Sequence, residues 1–470
     1  MRSFRRMGET ARVDPSTSSG ETRADAGGNR PSFDKLRMSG HFALLSKRWV
    51  AVLLFLPLSL TAQESGVERT FTLDQSVQAA LVNNPGLLSA EAEVKIAEQR
   101  VGEARSNFFP KVDLQLNGSR YKARQDTIVS PDLGTILLSP SRGDNPDTFY
   151  AARLGAKQIL YNGGRGGTNL RLAKAALEQA RVREEDLRGQ VVLSAVKSFY
   201  DMLLARKQKE LAEEAAARVD AFLTRTPSWD EGTRAVWEAL QGRFRRNLAE
   251  RRRAEQRATL DFLNTLGLEL YTLVDLSGRL SSSEVHLELP KLLAWAQESR
   301  LELRATDFQR EIDQLAVNLS KAERYPVVAL GAAYEYNDPT FPLRTQLWHT
   351  TLNVSLPIFD GFSSRSRIRQ VRIQADQNRI QRGQLEDMIN TEVRDAYGDV
   401  VYWQEEMSQR SDEMSRAQKS LRDLERSRNI PVRASAESWA LEASQAYWES
   451  VHGHRVGLAR LEKAVGRTVQ

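Results

Sequence analysis

Two histidines, five clustered arginines and a run of glycines are the residues here whose types and spacing could do chemistry. His452 and His454 have the look of a metal pair. Two residues apart on a helix, however, they point to nearly opposite sides and cannot share an ion. The segment Gly163 to Gly167 is dense in glycine, but it lacks the lysine–serine/threonine ending of a phosphate loop and no buried parallel strand leads into it. Arg245, Arg246, Arg251, Arg252 and Arg253 alternate with Glu250 and Glu255, the pattern of a solvated helix surface rather than a nucleic-acid groove. The chain has no cysteine, which removes disulfides, thiolate metal ligands, thiol catalysis and the attachment point of a lipoprotein anchor. No catalytic set, metal set or cofactor motif survives, so the reading is of a protein that is not an enzyme and carries no cofactor.

Charge points the same way. The formal charge is +6, but residues 1–62 hold 10 of the 67 Lys and Arg and only 5 of the 61 Asp and Glu. That leaves 57 against 56 in the remainder, so no global field favours a polyanion. Residues 38–62 read as a signal peptide: Lys47-Arg48 is the basic region, Trp49 to Leu60 the apolar region interrupted by Pro57, and Thr61-Ala62 the cleavage site. Residues 1–37 are rich in Ser, Gly, Arg and Asp without periodicity and read as a non-native or disordered extension, with Met38 as the start. No later segment reaches 18 consecutive apolar residues, so a membrane role would have to come from strands.

The elements that position these residues occur twice. Tyr161-Asn162-Gly163 opens a proline-free run from Arg165 to Arg225, and Phe359-Asp360-Gly361 opens another from Ser363 to Arg428. A shift of 198 places Leu154 on Leu352, Leu187 on Leu385, Phe199 on Tyr397 and Asp201 on Asp399. Upstream the shift is 216, which places Phe109-Pro110 on Tyr325-Pro326. The shift falls between the two because the first hairpin loop, 122–147, is longer than its counterpart, and a loop free to vary in length reads as an exposed tip. Thr72-Leu73-Asp74-Gln75 fits a capping box that starts a helix, interrupted at Asn84-Pro85-Gly86. The corresponding second helix is expected to run unbroken from about Leu292 to Arg324.

Four segments alternate apolar and polar residues: Val112 to Leu116, Tyr150 to Lys157, Val328 to Tyr336, and Trp348 to Leu356. Strands of roughly ten residues suit a tilted crossing of a bilayer, and the same alternation suits a small soluble sheet with one wet face. Four strands cannot close a barrel. If they face lipid, they require further copies of the chain. The two long helices need neighbours as well, and the half-length helices 72–109 and 233–267, then 290–325 and 432–466, are the right length to stack end to end beside them. Leu170, Ala173, Leu177, Ala180, Leu187 and Val191 set a coiled-coil seam in one, answered by Ile368, Val371, Ala375, Leu385 and Ile389 in the other.

Across residues 68–467 the chain resembles the TolC-type outer-membrane factor family. The resemblance rests on Leu73-Asp74, Ala79-Ala80-Leu81, Asn83-Asn84-Pro85, Ala104-Arg105 with Phe109-Pro110, and Leu461-Glu462-Lys463-Ala464-Val465-Gly466. Most specific is the pair of strand-to-helix hinges, Tyr161-Asn162-Gly163-Gly164 and Leu356-Pro357-Ile358-Phe359-Asp360-Gly361. It implies a mainly α fold with β: a long antiparallel coiled-coil α-helical barrel, plus four β-strands per protomer completing a twelve-stranded outer-membrane β-barrel in a homotrimer. Residues 63–285 would form the first structural repeat and 286–470 the second. The implied role is a passive exit duct of a tripartite efflux pump or a type I secretion system. Its partners would be outer-membrane lipid, a periplasmic adaptor, and an inner-membrane transporter of the RND, MFS or ABC kind, with no nucleic acid.

Within that frame Gly163, Gly164, Asp360 and Gly361 are the hinge residues, and Arg153, Lys157, His349 and Asn353 would line a hydrated exit. Trp348, Tyr150, Tyr334 and Tyr336 suit an interfacial aromatic girdle or plain packing. The arginine cluster would be solvated or face the adaptor. The periplasmic tips depart from the family pattern. The turn Arg428-Asn429-Ile430-Pro431-Val432 has no glycine, and no clean acidic pair follows it. Trp229, Asp230, Asn429, Pro431, Glu437 and Glu442 are the candidates for an aperture or adaptor contact. A non-transporting periplasmic coiled-coil scaffold of the same fold is the alternative reading, and the cargo is not specified.

Overall fold

A computed structural model of the chain describes residues 69–121, 147–225, 230–424 and 429–469. The signal peptide, the extension before it, most of the first hairpin loop and Trp229 lie outside these residues. The first copy runs β1 (Arg69–Phe71), α1 (Leu73–Asn83), α2 (Pro85–Ser106), β2 (Lys111–Tyr121), β3 (Asp147–Tyr161), α3 (Arg165–Arg225) and α4 (Glu231–Thr265). After β4 (Val274–Leu276), the second runs α5 (Leu289–Ser299), α6 (Leu301–Ala322), β5 (Val327–Asp338), β6 (Thr345–Ser355), α7 (Ser363–Asp423) and α8 (Ile430–Val465). Helices α1 and α5 have 11 residues each, α2 and α6 have 22, and α3 and α7 have 61. Equal lengths at matched positions make the duplication a property of the backbone, beyond the residue pattern.

The predicted capping box forms. Thr72 N donates to Gln75 Oε1 at 2.9 Å while Gln75 N donates to Thr72 Oγ1 at 3.2 Å. Asn84 then ends α1 and caps α2, accepting from Leu87 N at 3.1 Å, with Pro85 in the first helical position where its missing N–H costs nothing. In the second copy the helix expected to be continuous is also broken, at the position equivalent to Asn84, which is Arg300 (φ −65°, ψ 124°). No proline marks this break. Arg300 is 4% exposed, and its guanidinium donates to the carbonyls of Lys463 and Ala464 at 3.0 and 3.1 Å and to Glu392 Oε2 at 2.6 Å. The break is therefore held by tertiary contacts that local sequence does not announce.

End-to-end stacking is as expected. Along α3 the contacts pass from α2 (Arg181 to Glu98, 3.1 Å) to α4 (Lys209 to Glu255, 2.8 Å) on one side. On the other they pass from α6 (Gln179 to Gln309, 3.0 Å) to α8 (His452 to Asp201, 2.6 Å). Helix α7 flanks α6 through Asn378 and Asp313 (2.8 Å), and α8 through Arg460 and Asp399 (2.9 Å). The result is a layer ordered α2–α3–α6–α7 near the strands and α4–α3–α8–α7 toward the tips. At 1.5 Å per residue the 61-residue helices are about 90 Å long. A layer this thin has no central core. Burial is split into separate apolar clusters along its length, rich in alanine where helices approach closely.

Strands β2, β3, β5 and β6 form one antiparallel sheet in the order β2-β3-β5-β6. Strands β1 and β4 form a small parallel clip, Arg69 opposite Val274 and Phe71 opposite Leu276, which the sequence pattern did not disclose.

Candidate functional site

The four-stranded sheet has two chemically distinct faces. Leu114, Leu154, Tyr334 and Trp348 occupy successive register positions in one row across it. With Val112, Leu116, Leu330, Tyr336, Leu352 and Val354 they make a continuous apolar face. Among the described residues nothing covers it: Leu116 is 74% and Trp348 71% exposed. An apolar surface of this extent needs an apolar environment or a partner. The tyrosines add an ordered edge, with Tyr334 Oη donating to Gln346 Oε1 at 2.9 Å.

The other face carries the residues expected to line a wet passage. Arg153, Lys157, His349 and Asn353 all sit on it, around a concavity that also includes Asp113, Gln115 and Thr351. Sheet register thus unites side chains from both copies of the duplication. Arg153 is not a free cation, because its Nε lies 3.0 Å from Glu335 Oε1 on the neighbouring strand. Lys157 stands directly opposite Lys111, a like-charge pair that the sequence reading did not single out. Gly155 and Gly331 flank this face, and the Asp113 carboxylate fills the space a side chain at 155 would take.

The hinges join this sheet to the helices. Gly163 and Gly164 have φ of 68° and 82°, torsions at which a side chain is strained, and Gly361 has φ of 63°. The second hinge replaces its other glycine with Phe362, at φ 68°. Asp360 accepts from Ser364 N at 2.8 Å, just as Asn162 at the equivalent position accepts from Gly166 N at 3.1 Å. The Ser364 hydroxyl and amide hold the Asp360 carboxyl below the usual carboxylate range.

At the opposite end, Asp230 caps α4 through Thr233 N (3.0 Å) and Asn429 caps α8 through Val432 N (3.4 Å), with Pro431 in the first turn of α8. Glu442 is exposed, 3.6 Å from Arg243. Glu437 is not an open lining group. It is 2% exposed and paired with Arg218 Nε at 3.2 Å, because α8 turns this face into the α3 seam. The two histidines are separated, as their spacing requires. His452 reaches Asp201 on α3, whereas His454 is buried against the Ser282 hydroxyl and its pKa is pushed down, first by burial and then by Arg455.

Comparison with known proteins decides what this arrangement is. The profile of the family described as "Outer membrane efflux protein" matches residues 76–266 and 292–438, well over half the chain. The chain belongs to the outer membrane efflux protein family. It is 23% identical over 338 residues to Protein CyaE of Bordetella pertussis, covering 69% of this chain and 68% of that one. The open state of the Neisseria gonorrhoeae MtrE outer membrane channel superposes with a TM-score of 0.71 at 16% identity, covering 85% of this chain and 89% of that channel. The outer membrane protein VceC of Vibrio cholerae gives 0.68 at 15% identity, covering 85% and 97%.

An outer membrane efflux protein of this TolC-type fold resides in the outer membrane with a long periplasmic extension, and its family and fold are those of channels rather than enzymes. The bare apolar face then has an environment. Lipid suits the bare apolar face in place of the missing core, and the polar face on the other side of the sheet suits water.

Proposed function

We propose that three copies of this outer membrane efflux protein pool their sheets into one twelve-stranded barrel. The assembly then works as the passive exit duct of a tripartite efflux pump or type I secretion system. A periplasmic adaptor would dock on the helical tips and couple the duct to an energised inner-membrane transporter of the RND, MFS or ABC kind. Residues 38–62 would be removed as a signal peptide, and 63–285 and 286–470 would act as the two repeats.

The observation that carries this reading is the sheet itself. One face is apolar and bare, the other polar, and strands β2 and β6 each have one unpaired edge among the described residues. Unpaired backbone groups in hydrocarbon cost several kcal/mol each, so edges must meet edges. Purified protein in detergent should have the mass of a trimer and open conducting pores in a planar bilayer. A folded monomer, soluble in buffer and without conductance, would instead be a periplasmic scaffold.

Two substitutions test the faces. Leu154→Arg places a charge in the middle of the apolar row and should destabilise the inserted barrel by about 2–4 kcal/mol, whereas Gln115→Arg on the wet face should cost under about 1 kcal/mol. Urea unfolding of the barrel in lipid reads both, and equal losses would reverse or abolish the assignment. The opposed lysines make a second prediction. Three copies would place six ammonium groups from Lys111 and Lys157 in one ring, favouring anions in transit. Lys157→Glu should move the zero-current potential in a salt gradient toward cation preference. An unchanged potential would mean that these lysines do not face the ion path.

A further inference from the structure

Residues 64–68, Glu-Ser-Gly-Val-Glu, lie between the cleavage site after Ala62 and β1, outside the described residues. That this segment has a free end rests on the removal of residues 38–62 proposed above. The β1–β4 clip sets where it starts and which way it heads. Strand β4 lies along α3: Arg206 donates to the Val274 carbonyl at 2.9 Å and pairs with Asp275, while Gly278 packs on Phe199 and Leu203. Val274 to Gly278 is about 13 Å of extended chain, and Arg206 to Phe199 about 10 Å of helix, so β4 runs close to the helix axis and away from the tips. Strand β1 pairs with it in parallel and sits over α4, where the Phe71 and Phe262 rings are 6.1 Å apart. Chain upstream of Arg69, continued on the same line, descends along α4 toward its tip end.

On that line α4 carries a concavity lined by Arg245, Leu248, Ala249, Arg252, Arg253 and Gln256. It opens on the same flank as the clip. Arg206, Glu213 and Asp220 follow one another at seven-residue steps on one stripe of α3. Arg206 holds β4, Glu213 accepts from Arg252 at 3.1 Å, and Asp220 accepts from Arg245 at 3.2 Å. The other flank of α4 is the one that meets α8, through Arg251 and Asn247 to Gln445 at 3.1 and 3.3 Å.

Length and chemistry both match. Glu68 is about 10 Å of strand from Phe71, and Gln256 about 9 Å of helix from Phe262, so the two are level. Glu64 is about 13 Å further on, level with Leu248, and cleavage after Ala62 leaves only Gln63 before it. The mature chain therefore has enough residues to line the concavity and few to spare. Phe71 faces α4, so strand alternation turns Val67 and Ser65 toward the same helix and Glu64 and Glu68 to the outer side. Val67 suits the floor of Leu248 and Ala249. The glutamates suit the long arginine side chains at its rim, of which Arg253 is exposed and has no acidic partner among the described residues.

We propose that residues 64–68, freed by signal-peptide removal, continue β1 along α4 and occupy this concavity, with Val67 on Leu248 and Ala249, Glu68 beside Arg253, and Glu64 between Arg245 and Arg252. The arginine-rich stretch of α4 is thereby assigned to the chain's own amino-terminal segment, and this flank is closed to an adaptor. Exposed ion pairs hold the segment weakly, so its docking responds to salt.

The absence of cysteine makes the test clean. Ser65→Cys with Ala249→Cys, in the full-length processed protein treated with a short bismaleimide, should form a bridge within one chain. Digestion and mass spectrometry read it as a joined peptide, and a denaturing gel should show no dimer. Ser65→Cys with Asn247→Cys, nearly level but on the flank that meets α8, should form none. Labelling of Ala249→Cys alone by a bulky maleimide should quicken several-fold when residues 64–67 are deleted. Adding Glu64→Lys and Glu68→Lys to the bridging pair should lower its yield several-fold at about 0.05 M salt. That difference should shrink at 1 M, where the Debye length is about 3 Å.

Equal labelling of Ala249→Cys with and without residues 64–67 would overturn the proposal and leave the concavity bare for another protein. Bridges that join two chains would overturn it too, giving the segment to a neighbouring copy. The mass of the mature amino-terminal peptide separates docking from processing. A terminus at Gln63 without an intrachain bridge sinks the docking alone, whereas a chain that keeps residues 38–62 sinks both.

Discussion

Arg300→Ala is expected to destabilise the folded chain by about 3 kcal/mol, the low end of what breaking a buried ion pair costs, because the acids it leaves keep some solvent. Arg300 is 4% exposed, and its fork holds the Lys463 and Ala464 carbonyls in the last turn of α8. Its Nη2 reaches Glu392 Oε2 at 2.6 Å. Its Nε sits 3.0 Å from Glu302 Oε2 at an angle too poor for a hydrogen bond, so that contact is electrostatic. Truncation takes a donor from the Ala464 carbonyl and from the Glu392 carboxylate and releases the break between α5 and α6, while the Lys463 carbonyl keeps Gly466 N and Glu302 keeps Lys463 Nζ. Arg300→Lys keeps the charge but not the planar fork, and should recover less than half of the loss. The equivalent Asn84 in the first copy does its work as an ordinary cap, so Asn84→Ala should cost only about 0.5–2 kcal/mol. Denaturant unfolding followed by circular dichroism compares all three. Equal losses for Arg300→Ala and Asn84→Ala would mean that the clamp is ornamental.

That contrast also marks how far the sequence could be read. Strand alternation and helix length are local signals, and they disclosed the four strands, the long helices and the stacking of half-length partners. The polar face was legible for the same reason: Arg153, Lys157, His349 and Asn353 fall at alternate positions, and register alone brings them together. The break at Arg300 was missed because Asn-Pro announces itself in the sequence while a clamp onto the far end of α8 does not. Glu437 was misplaced for a related reason. An acid near a helix tip looks solvent-facing until the neighbouring helix supplies Arg218. The β1–β4 clip joins two three-residue segments, one before α1 and one between α4 and α5, too short for any periodicity to register.

Gly163→Ala and Gly361→Ala should fail at different stages of assembly, although the two glycines are equivalent in the duplication. Both have positive φ, so either alanine carries a strain of about 1–2 kcal/mol. At Gly163 the new Cβ would also lie 2.6 Å from Tyr325 Cβ and 2.8 Å from the Ala322 carbonyl, where the turn between α6 and β5 crosses the hinge. Overpacking adds about 1–3 kcal/mol, so Gly163→Ala should lose roughly 2–5 kcal/mol within the protomer. At Gly361 nothing lies within 4 Å, and the protomer should lose the strain alone. The residues that map onto Ala322 and Tyr325 are Ser106 and Phe109, which in a closed ring belong to the next subunit. Phe109, at the β2 edge of the protomer, is 67% exposed, and Ile358, Phe359 and Phe362 at the second hinge, on the β6 edge, are exposed as well, so these are the two surfaces such a crossing would bring together. Gly361→Ala should therefore leave monomer stability nearly intact while lowering the yield and thermal stability of the trimer. Gly163→Ala should deplete folded chain before any trimer forms. Native mass and unfolding of the two variants, measured side by side, separate these outcomes. If Gly361→Ala assembled as well as the parent chain, the second hinge would not be packed by a neighbouring subunit.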